Sequence, residues 1–292
     1  MRVALVIKRT AWDLHQKAST PRMRGLLARH DPTVANIRPA HEEHVATVET
    51  VKAALADAGV DIVRIRTARF DDREFDLVVT VGGDGTMLRA SHSVCGAPML
   101  AINSAPTYSV GFFCGANGET ATAALGAALN GRLKGAVLTR MQVRLNGRVV
   151  TARVLNDALF CHQSPAATAR YLVEYRGIVE EHKSSGVWIG PAAGSTAAQR
   201  SAGGKVLPLT SSNLQMVVRE PYDPRGKRCR LTRVIAKPGA PITIRSKSRE
   251  MRLFFDGPDQ VARAVLGDVV TFEQSSEPLT VLGISPRRRW DE

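Results

Sequence analysis

A chain of 292 residues, 44% hydrophobic and 23% charged, can bury a real core and has room for two domains. Its 40 basic and 27 acidic residues give a formal net charge of +13, which favours anionic partners such as nucleotides. The basic residues are spread along the chain without C2H2 spacing or an RNP-like strand, so a specific nucleic-acid partner is not expected, and no stretch has the length and apolarity of a membrane-spanning helix.

Residues 3–7 (VALVI) form an apolar β-prone run. The opening MRVALVIKRT has no small-residue cleavage site and reads as a strand rather than a signal peptide. A polar, basic stretch with Pro21, Pro32 and Pro39 follows and reads as a loop or broken helix. Val45, Val48, Val51, Leu55 and Ala58 then repeat at helical spacing, with Gly59 placed to end the helix. HEEH at 41–44 lacks the H-E-x-x-H spacing of a metal site and reads as a solvated first turn. Strands are expected at 61–67, 75–81 and 98–103, and a helix at 120–133. This alternation is the grammar of a parallel α/β sheet. From there to about 284 the chain consists mostly of short β-prone runs divided by Gly, Pro, Asn and Asp turns, a β-rich second domain. The cysteines at 95, 114, 161 and 229 form no C-x-x-C pair, and reduced thiols in a cytoplasmic protein are expected.

Three clusters carry chemistry. In GGDGT (82–86) an apolar strand stops at Gly82 and Gly83, and a helix is expected from about Met87. Glycines let a backbone approach an anion, and a helix start offers unpaired N–H groups. The spacing is neither G-x-G-x-x-G nor G-x-x-x-x-G-K-[ST]. Asp84 is placed to deprotonate or orient a hydroxyl, or to help hold a metal beside a phosphate; the plainer reading is a tight strand-to-helix corner. The segment 184–204 concentrates Gly190, Gly194, Ser195, Thr196, Ser201, Gly203 and Gly204, which suits a flat polar ligand such as a nucleotide, or forms a long Ala/Gly loop. Ala193 stands two residues before Ser195, so the segment is not a G-x-S-x-G elbow. Asn156–Asp157 interrupts an apolar strand, either to grip a ribose diol or base edge or as a bulge. FFDGPD (254–259) reads as a strand entering an Asp-Gly turn.

GGDGT, AIN and GFF at 101–113, LND at 155–157, GSTA at 194–197, SAGG at 201–204 and DG at 256–257 occur in the order that resembles the NAD kinase family, over about residues 75–275. The resemblance implies an α/β N-terminal domain with a Rossmann-like parallel sheet, a β-rich C-terminal domain and an active site in the inter-domain crevice. The expected boundaries are 1–118, completed by 276–292, and 119–275. It implies transfer of the γ-phosphate of ATP to the 2′-hydroxyl of the adenosine ribose of NAD, giving NADP, with Mg²⁺ or another divalent metal whose protein ligands are unknown. Asp84 would be catalytic. The backbone of Gly82, Gly83 and Gly85, with Thr86, would meet phosphates; Asn156, Asp157, Ser195 and Thr196 would bind NAD; Gly203 and Gly204 would approach the nucleotide phosphates. The partners implied are NAD and ATP, in a homodimer or homotetramer. A related lipid or small-alcohol kinase and a catalytically weak pyridine-nucleotide sensor are the alternatives.

The chain departs from the family pattern at several positions. Asp157 stands where glutamate is usual, Ser185 where an aspartate often precedes Gly186, and Ala198 where a tyrosine commonly follows GSTA. Ala192–Ala193 replaces a Pro-Thr pair. The link from Asn103 to Gly111 is longer than usual; together with KSSG at 183–186 it is similar to the divergent mitochondrial-type branch.

Overall fold

The computed structural model describes residues 1–17, 20–65, 70–222 and 229–287. The chain forms two compact units, 1–136 with 280–285, and 137–279 with 286–292. Parts of the basic runs at 225–233 and 286–290, and the end of the strand expected at 61–67, lie outside the described residues.

In chain order the first elements are β1 (Arg2–Ile7), α1 (Ala11–Lys17), α2 (Pro21–Ala28), α3 (Ile37–Asp57), β2 (Asp61–Ile65) and β3 (Leu77–Gly82). Next come α4 (Asp84–Ser91), β4 (Met99–Asn103), β5 (Ala116–Asn117), α5 (Ala121–Leu129) and β6 (Gly135–Leu138). The polar stretch after β1 resolves into two short helices and a 3₁₀ turn, Pro32–Val34. Thr20 caps α2, accepting from the Met23 amide at 3.2 Å, and Pro21 sits at its first position, where a missing N–H costs nothing.

β1 pairs in parallel with β2 and β3, β3 with β4, and β4 with β5. The strand order is β2-β1-β3-β4, then β19 (Leu279–Leu282) and β6. LTVLGI, one of the β-prone runs and inside the 276–292 segment expected to complete the first domain, returns to the first sheet, where β19 runs parallel to β4. β3 and β4 are buried along their whole length, which is why LVVTV and MLAI are continuous apolar runs rather than alternating ones. α3 covers the sheet with Val48, Val51 and Leu55; its buried stripe also contains His44 and Thr47. Two expectations are corrected here. Val45 is 41% exposed and lies off the stripe. HEEH is not a solvated first turn, because α3 begins at Ile37 and His44 falls four, seven and eleven residues before Val48, Val51 and Leu55 on the same inward face.

The second unit is built from antiparallel strands β7 (Met141–Leu145), β8 (Arg148–Val154), β9 (Ala158–His162), β10 (Ala169–Tyr175) and β11 (Ile178–Ser184). It continues with β12 (Val187–Pro191), the short helix α6 (Ala198–Ser201), β13 (Leu214–Val218), β14 (Arg233–Ala236), β15 (Ile242–Ser246), β16 (Met251–Phe255), β17 (Gln260–Ala264) and β18 (Val269–Gln274). They form two six-stranded sheets, β11-β10-β15-β18-β7-β8 and β14-β13-β12-β9-β16-β17. One apolar core drawn from both sheets, including Phe160, Tyr171, Ile189, Ile244 and Phe272, lies between them. Asn146–Gly147 and Arg176–Gly177 turn the β7–β8 and β10–β11 hairpins with positive φ at both residues, the backbone that two-residue hairpin loops require.

Candidate functional site

In the first unit the strand order reverses between β1 and β3, so the connections leave these strands on opposite sides. Open parallel sheets bind ligands beyond the carboxyl ends of strands at such a point. Those ends carry Lys8 and GGDGT. Gly82 is the last residue of β3, Gly83 the N-cap of α4 and Asp84 its first residue. A Cβ on Gly82 would fall 2.3 Å from Thr86 Oγ1, 2.8 Å from Thr86 Cβ and 3.1 Å from Lys8 Cβ, which excludes a side chain there; one on Gly83 would fall 2.6 Å from Ser109 Oγ, which would have to turn away. Gly85 is exposed, and a Cβ there would meet nothing within 4 Å. No side chain caps α4; the Thr86 amide donates to the Gly83 carbonyl at 2.9 Å, while the Asp84 and Gly85 amides before it precede the intrahelical ladder.

Asp84 is tied to the segment after β4. Its Oδ2 accepts the Phe112 amide at 2.8 Å and its Oδ1 the Phe113 amide at 2.8 Å. The same segment is held from below by Asn103, whose Nδ2 donates to the Ser109 carbonyl at 2.8 Å. The unusually long Asn103–Gly111 link is thus closed at its base, while Pro106, Thr107, Tyr108 and Val110 are exposed. A carboxylate has about four acceptor positions, so two remain for a hydroxyl after the two amides.

A cavity of about 230 Å³ lies beside this turn, lined among others by Lys8, Thr10, His41, His44 and Ser104. Ser104 donates its amide to the Gly82 carbonyl at 3.0 Å, which places the cavity wall against the glycine loop. Thr10 Oγ1 and His41 Nδ1 lie 2.8 Å apart, and His44 Nδ1 and Ser104 Oγ 2.7 Å apart. Burial, and then the Lys8 ammonium, push His44 down to about 4, so at neutral pH it is a neutral hydrogen-bonding ring. Lys8 has no signal in the sequence beyond being one basic residue after a strand.

In the second unit the LND segment forms a tight turn between β8 and β9, gathered by Asp256. The Asp256 carboxylate accepts the amides of Leu155, Asn156 and Asp157 at 2.9, 2.7 and 3.1 Å, and its own amide donates to the Asp157 carbonyl at 3.0 Å. Asp256 has φ 48°, the left-handed region that Asp tolerates better than most residues. The Asp-Gly turn read as structural is therefore what shapes the Asn156–Asp157 turn. Asp157 is 7% exposed, and burial, then the charge of Asp256, push its carboxyl up to about 7. The Asn156 Oδ1 is buried without a hydrogen-bond partner among the described residues.

GSTA packs directly against that turn. A Cβ on Gly194 would lie 1.7 Å from the Asn156 carbonyl oxygen. Ser195 is fully buried; its hydroxyl donates to the Ala192 carbonyl at 2.7 Å and accepts the Leu207 amide at 2.9 Å. Thr196 ends the 3₁₀ turn Ala192–Thr196 and is 9% exposed. Gly203 has φ 87° after α6, and the Gly204 amide donates to the Gln199 carbonyl at 2.8 Å. Sequence reading misses Gln199 and Gln215, both buried. Gln199 donates to the Asn156 carbonyl at 3.3 Å, and Gln215 donates to Gln199 Oε1 at 3.1 Å. Their types alone give no signal. Ser185 donates its hydroxyl to the Glu220 carboxylate, which places an acidic side chain beside it.

The structure therefore brings Gly82, Gly83, Asp84, Gly85 and Thr86 together in one turn of the first unit. It brings Asn156, Asp157, Ser195 and Thr196 into one packed cluster of the second, with Gly203 and Gly204 following α6.

A family profile described as the ATP-NAD kinase N-terminal domain matches residues 6–133. A probable NADH kinase of Oryza sativa subsp. japonica is 32% identical over 263 residues, covering 82% of this chain and 81% of its own. An NADH kinase of Arabidopsis thaliana is 34% identical over 242 residues, covering 74% and 76%. Among solved structures, an NAD kinase from Archaeoglobus fulgidus in complex with ATP matches with TM-score 0.68 at 19% identity, over 96% of this chain and 93% of that one. Yeast NADH kinase complexed with NADH matches with TM-score 0.71 at 16% identity, over 97% and 84%. These likenesses do not favour a lipid or small-alcohol kinase. With the glycine turn, the LND turn and the GSTA turn all in place on a matching two-domain fold, the chain belongs to the NAD kinase family.

Proposed function

We propose that this chain phosphorylates the 2′-hydroxyl of the adenosine ribose of NAD or NADH with ATP, giving NADP or NADPH. The observation that carries the reading is the Asp84 carboxylate, fixed by the Phe112 and Phe113 amides at the start of α4 with acceptor capacity left over. That is the arrangement needed to orient a hydroxyl for in-line attack, and phosphoryl transfer asks little more of a protein than positioning and charge neutralisation. The Gly82–Gly85 backbone and the open first turn of α4 suit phosphate oxygens. Lys8 is the cation at the same strand ends, and its cavity is too small for a whole nucleotide but large enough for part of one.

The Asn156–Asp157 turn is assigned to the acceptor dinucleotide. Its buried Asn156 Oδ1 is an acceptor available to a ligand N–H or O–H. Asp157, carrying a proton over much of the range below pH 7, can donate to a ribose oxygen. The residues at the glycine turn fit a Mg²⁺ ion, because a single carboxylate suits an ion that keeps water and phosphate as its main ligands. When bound, the ion neutralises charge on the transferring phosphoryl group. A homodimeric or homotetrameric assembly and a cytoplasmic location belong to the same reading. No helix among the described residues is long and apolar enough to cross a membrane.

The test is a coupled assay of NADP and NADPH formation from NAD and NADH with ATP and Mg²⁺, by wild type and Asp84→Asn. Product from either dinucleotide with wild type, and a severe loss in the variant, supports the proposal. Dinucleotide binding with no product under any of these conditions would leave a nucleotide sensor instead.

A further inference from the structure

Glu180, His182 and Cys229 form a donor cluster in the second unit that phosphoryl transfer does not use. Strand β11 places Glu180 and His182 on one face, two residues apart. Cys229 reaches them from the segment that precedes β14. One donor atom from each residue lies within 4.8 Å of the other two.

The cluster is built rather than incidental. His182 is 2% exposed, and its ring stacks on Tyr171, the residue opposite it on β10, at 5.7 Å and 7° between planes. That fixes the imidazole plane. The Glu180 carboxylate accepts the Arg230 amide at 3.1 Å, the Arg230 Nε at 3.4 Å and the Leu231 amide at 2.7 Å. Those bonds orient the carboxylate and also draw the 229–231 segment onto β11, which brings the Cys229 thiol to the site. Backbone donors holding a carboxylate in place are the usual support of a metal ligand. His182 Nε2 and Glu180 Oε2 are 3.8 Å apart, close to the ligand-to-ligand spacing of a tetrahedral centre with bonds of about 2.0–2.3 Å.

We propose that Glu180, His182 and Cys229 bind a divalent metal of the zinc class and so clip the segment before β14 to strand β11. Imidazole, thiolate and carboxylate are the donor types that select such borderline-soft ions over Mg²⁺. Binding expels the thiol proton to solvent and replaces the Cys229 S–H contact to the Glu181 carbonyl, 3.7 Å long, with a metal–sulfur bond. Three protein donors leave one position for water. The site is independent of the ATP and NAD assignments above.

The experiment uses the full, tag-free chain, stripped with chelator and handled without oxygen. Titration with Co²⁺ should saturate at roughly one ion per chain, with visible bands of tetrahedral cobalt and a near-ultraviolet thiolate-to-cobalt band. Zn²⁺ should displace the cobalt and raise the thermal midpoint. Cys229→Ser should abolish the thiolate band and weaken Zn²⁺ binding by about tenfold or more. Cys161→Ser should leave both unchanged. Absence of a thiolate band in wild type, or its survival in Cys229→Ser, would overturn the proposal and leave a Glu180–His182 pair that only packs the loop. His182→Gln gives a second check: it should lose Zn²⁺-dependent stabilisation while remaining folded by far-ultraviolet circular dichroism.

Discussion

Asp84 holds Phe113 by its backbone: Oδ1 accepts the amide at 2.8 Å, while Oδ2 accepts that of Phe112. The acid is therefore both a candidate catalytic group and the clasp of the loop after β4. Asp84→Asn retains one acceptor oxygen and turns an NH₂ toward the other amide. We expect kcat to fall by roughly 10²–10⁴ and unfolding free energy to drop by about 1–3 kcal/mol. Steady-state kinetics and urea unfolding of the same preparation separate the two effects. A near-wild-type kcat would remove Asp84 from the chemistry.

Lys8 is the cation beside the glycine turn. Lys8→Met keeps the aliphatic stem and removes the charge. A charge-assisted hydrogen bond contributes about 1.5–3 kcal/mol, so the KM for ATP should rise by roughly tenfold or more. The KM for NAD should stay within about twofold. Equal changes in both constants would count against a donor-phosphate role.

Asp157 makes stability depend on pH. Its carboxyl lies at about 7 in the folded chain, against 3.8 for an unperturbed group, from burial first and the charge of Asp256 second. A raised folded value means that the folded state binds the extra proton. The contribution is full below about pH 4 and disappears as pH rises through about 7. It is worth roughly 4 kcal/mol at most. Asp157→Asn should flatten this slope and gain stability relative to wild type at pH 8. Urea midpoints at pH 5 and pH 8 test it, and parallel slopes in the two proteins would refute it.

Asp256→Asn tolerates the left-handed backbone but cannot accept all three turn amides. We expect a loss of about 1–3 kcal/mol. The KM for NAD should rise while that for ATP is unchanged, because only the Asn156–Asp157 turn is disturbed. Isothermal titration with each nucleotide provides a direct reading.

Glycine substitutions should divide sharply. Gly194→Ala forces a Cβ to 1.7 Å from the Asn156 carbonyl, and backbone must move; a loss of about 3 kcal/mol or more is expected. Gly126→Ala in α5 meets nothing within 4 Å and should gain about 0.5–1 kcal/mol. Thermal unfolding of the two variants decides.

What the sequence makes legible follows from locality. β3, GGDGT and α4 announce themselves because a buried parallel strand is a continuous apolar run and Gly82 stands where a Cβ would strike Thr86 and Lys8. The β7–β8 hairpin is readable from Asn146–Gly147 for the same local reason. His44 misleads because a polar residue on a buried stripe looks solvated until its partner, Ser104, is known. Asp256, Gln199 and Glu220 are illegible as site-shaping residues because each acts on backbone or side chains tens of residues away. No spacing rule relates a carboxylate at 256 to amides at 155–157.

The return of β19 to the first sheet has a consequence for biosynthesis. β4 gains its partner in residues 279–282 only after the whole β-rich unit has been translated. Gly115 and Gly135 are shaped to receive it: a Cβ on either would strike the Leu282 or Val281 carbonyl. Until then the nascent N-terminal sheet carries an open edge on the ribosome, the kind of surface that recruits chaperones or pairs with a neighbouring chain.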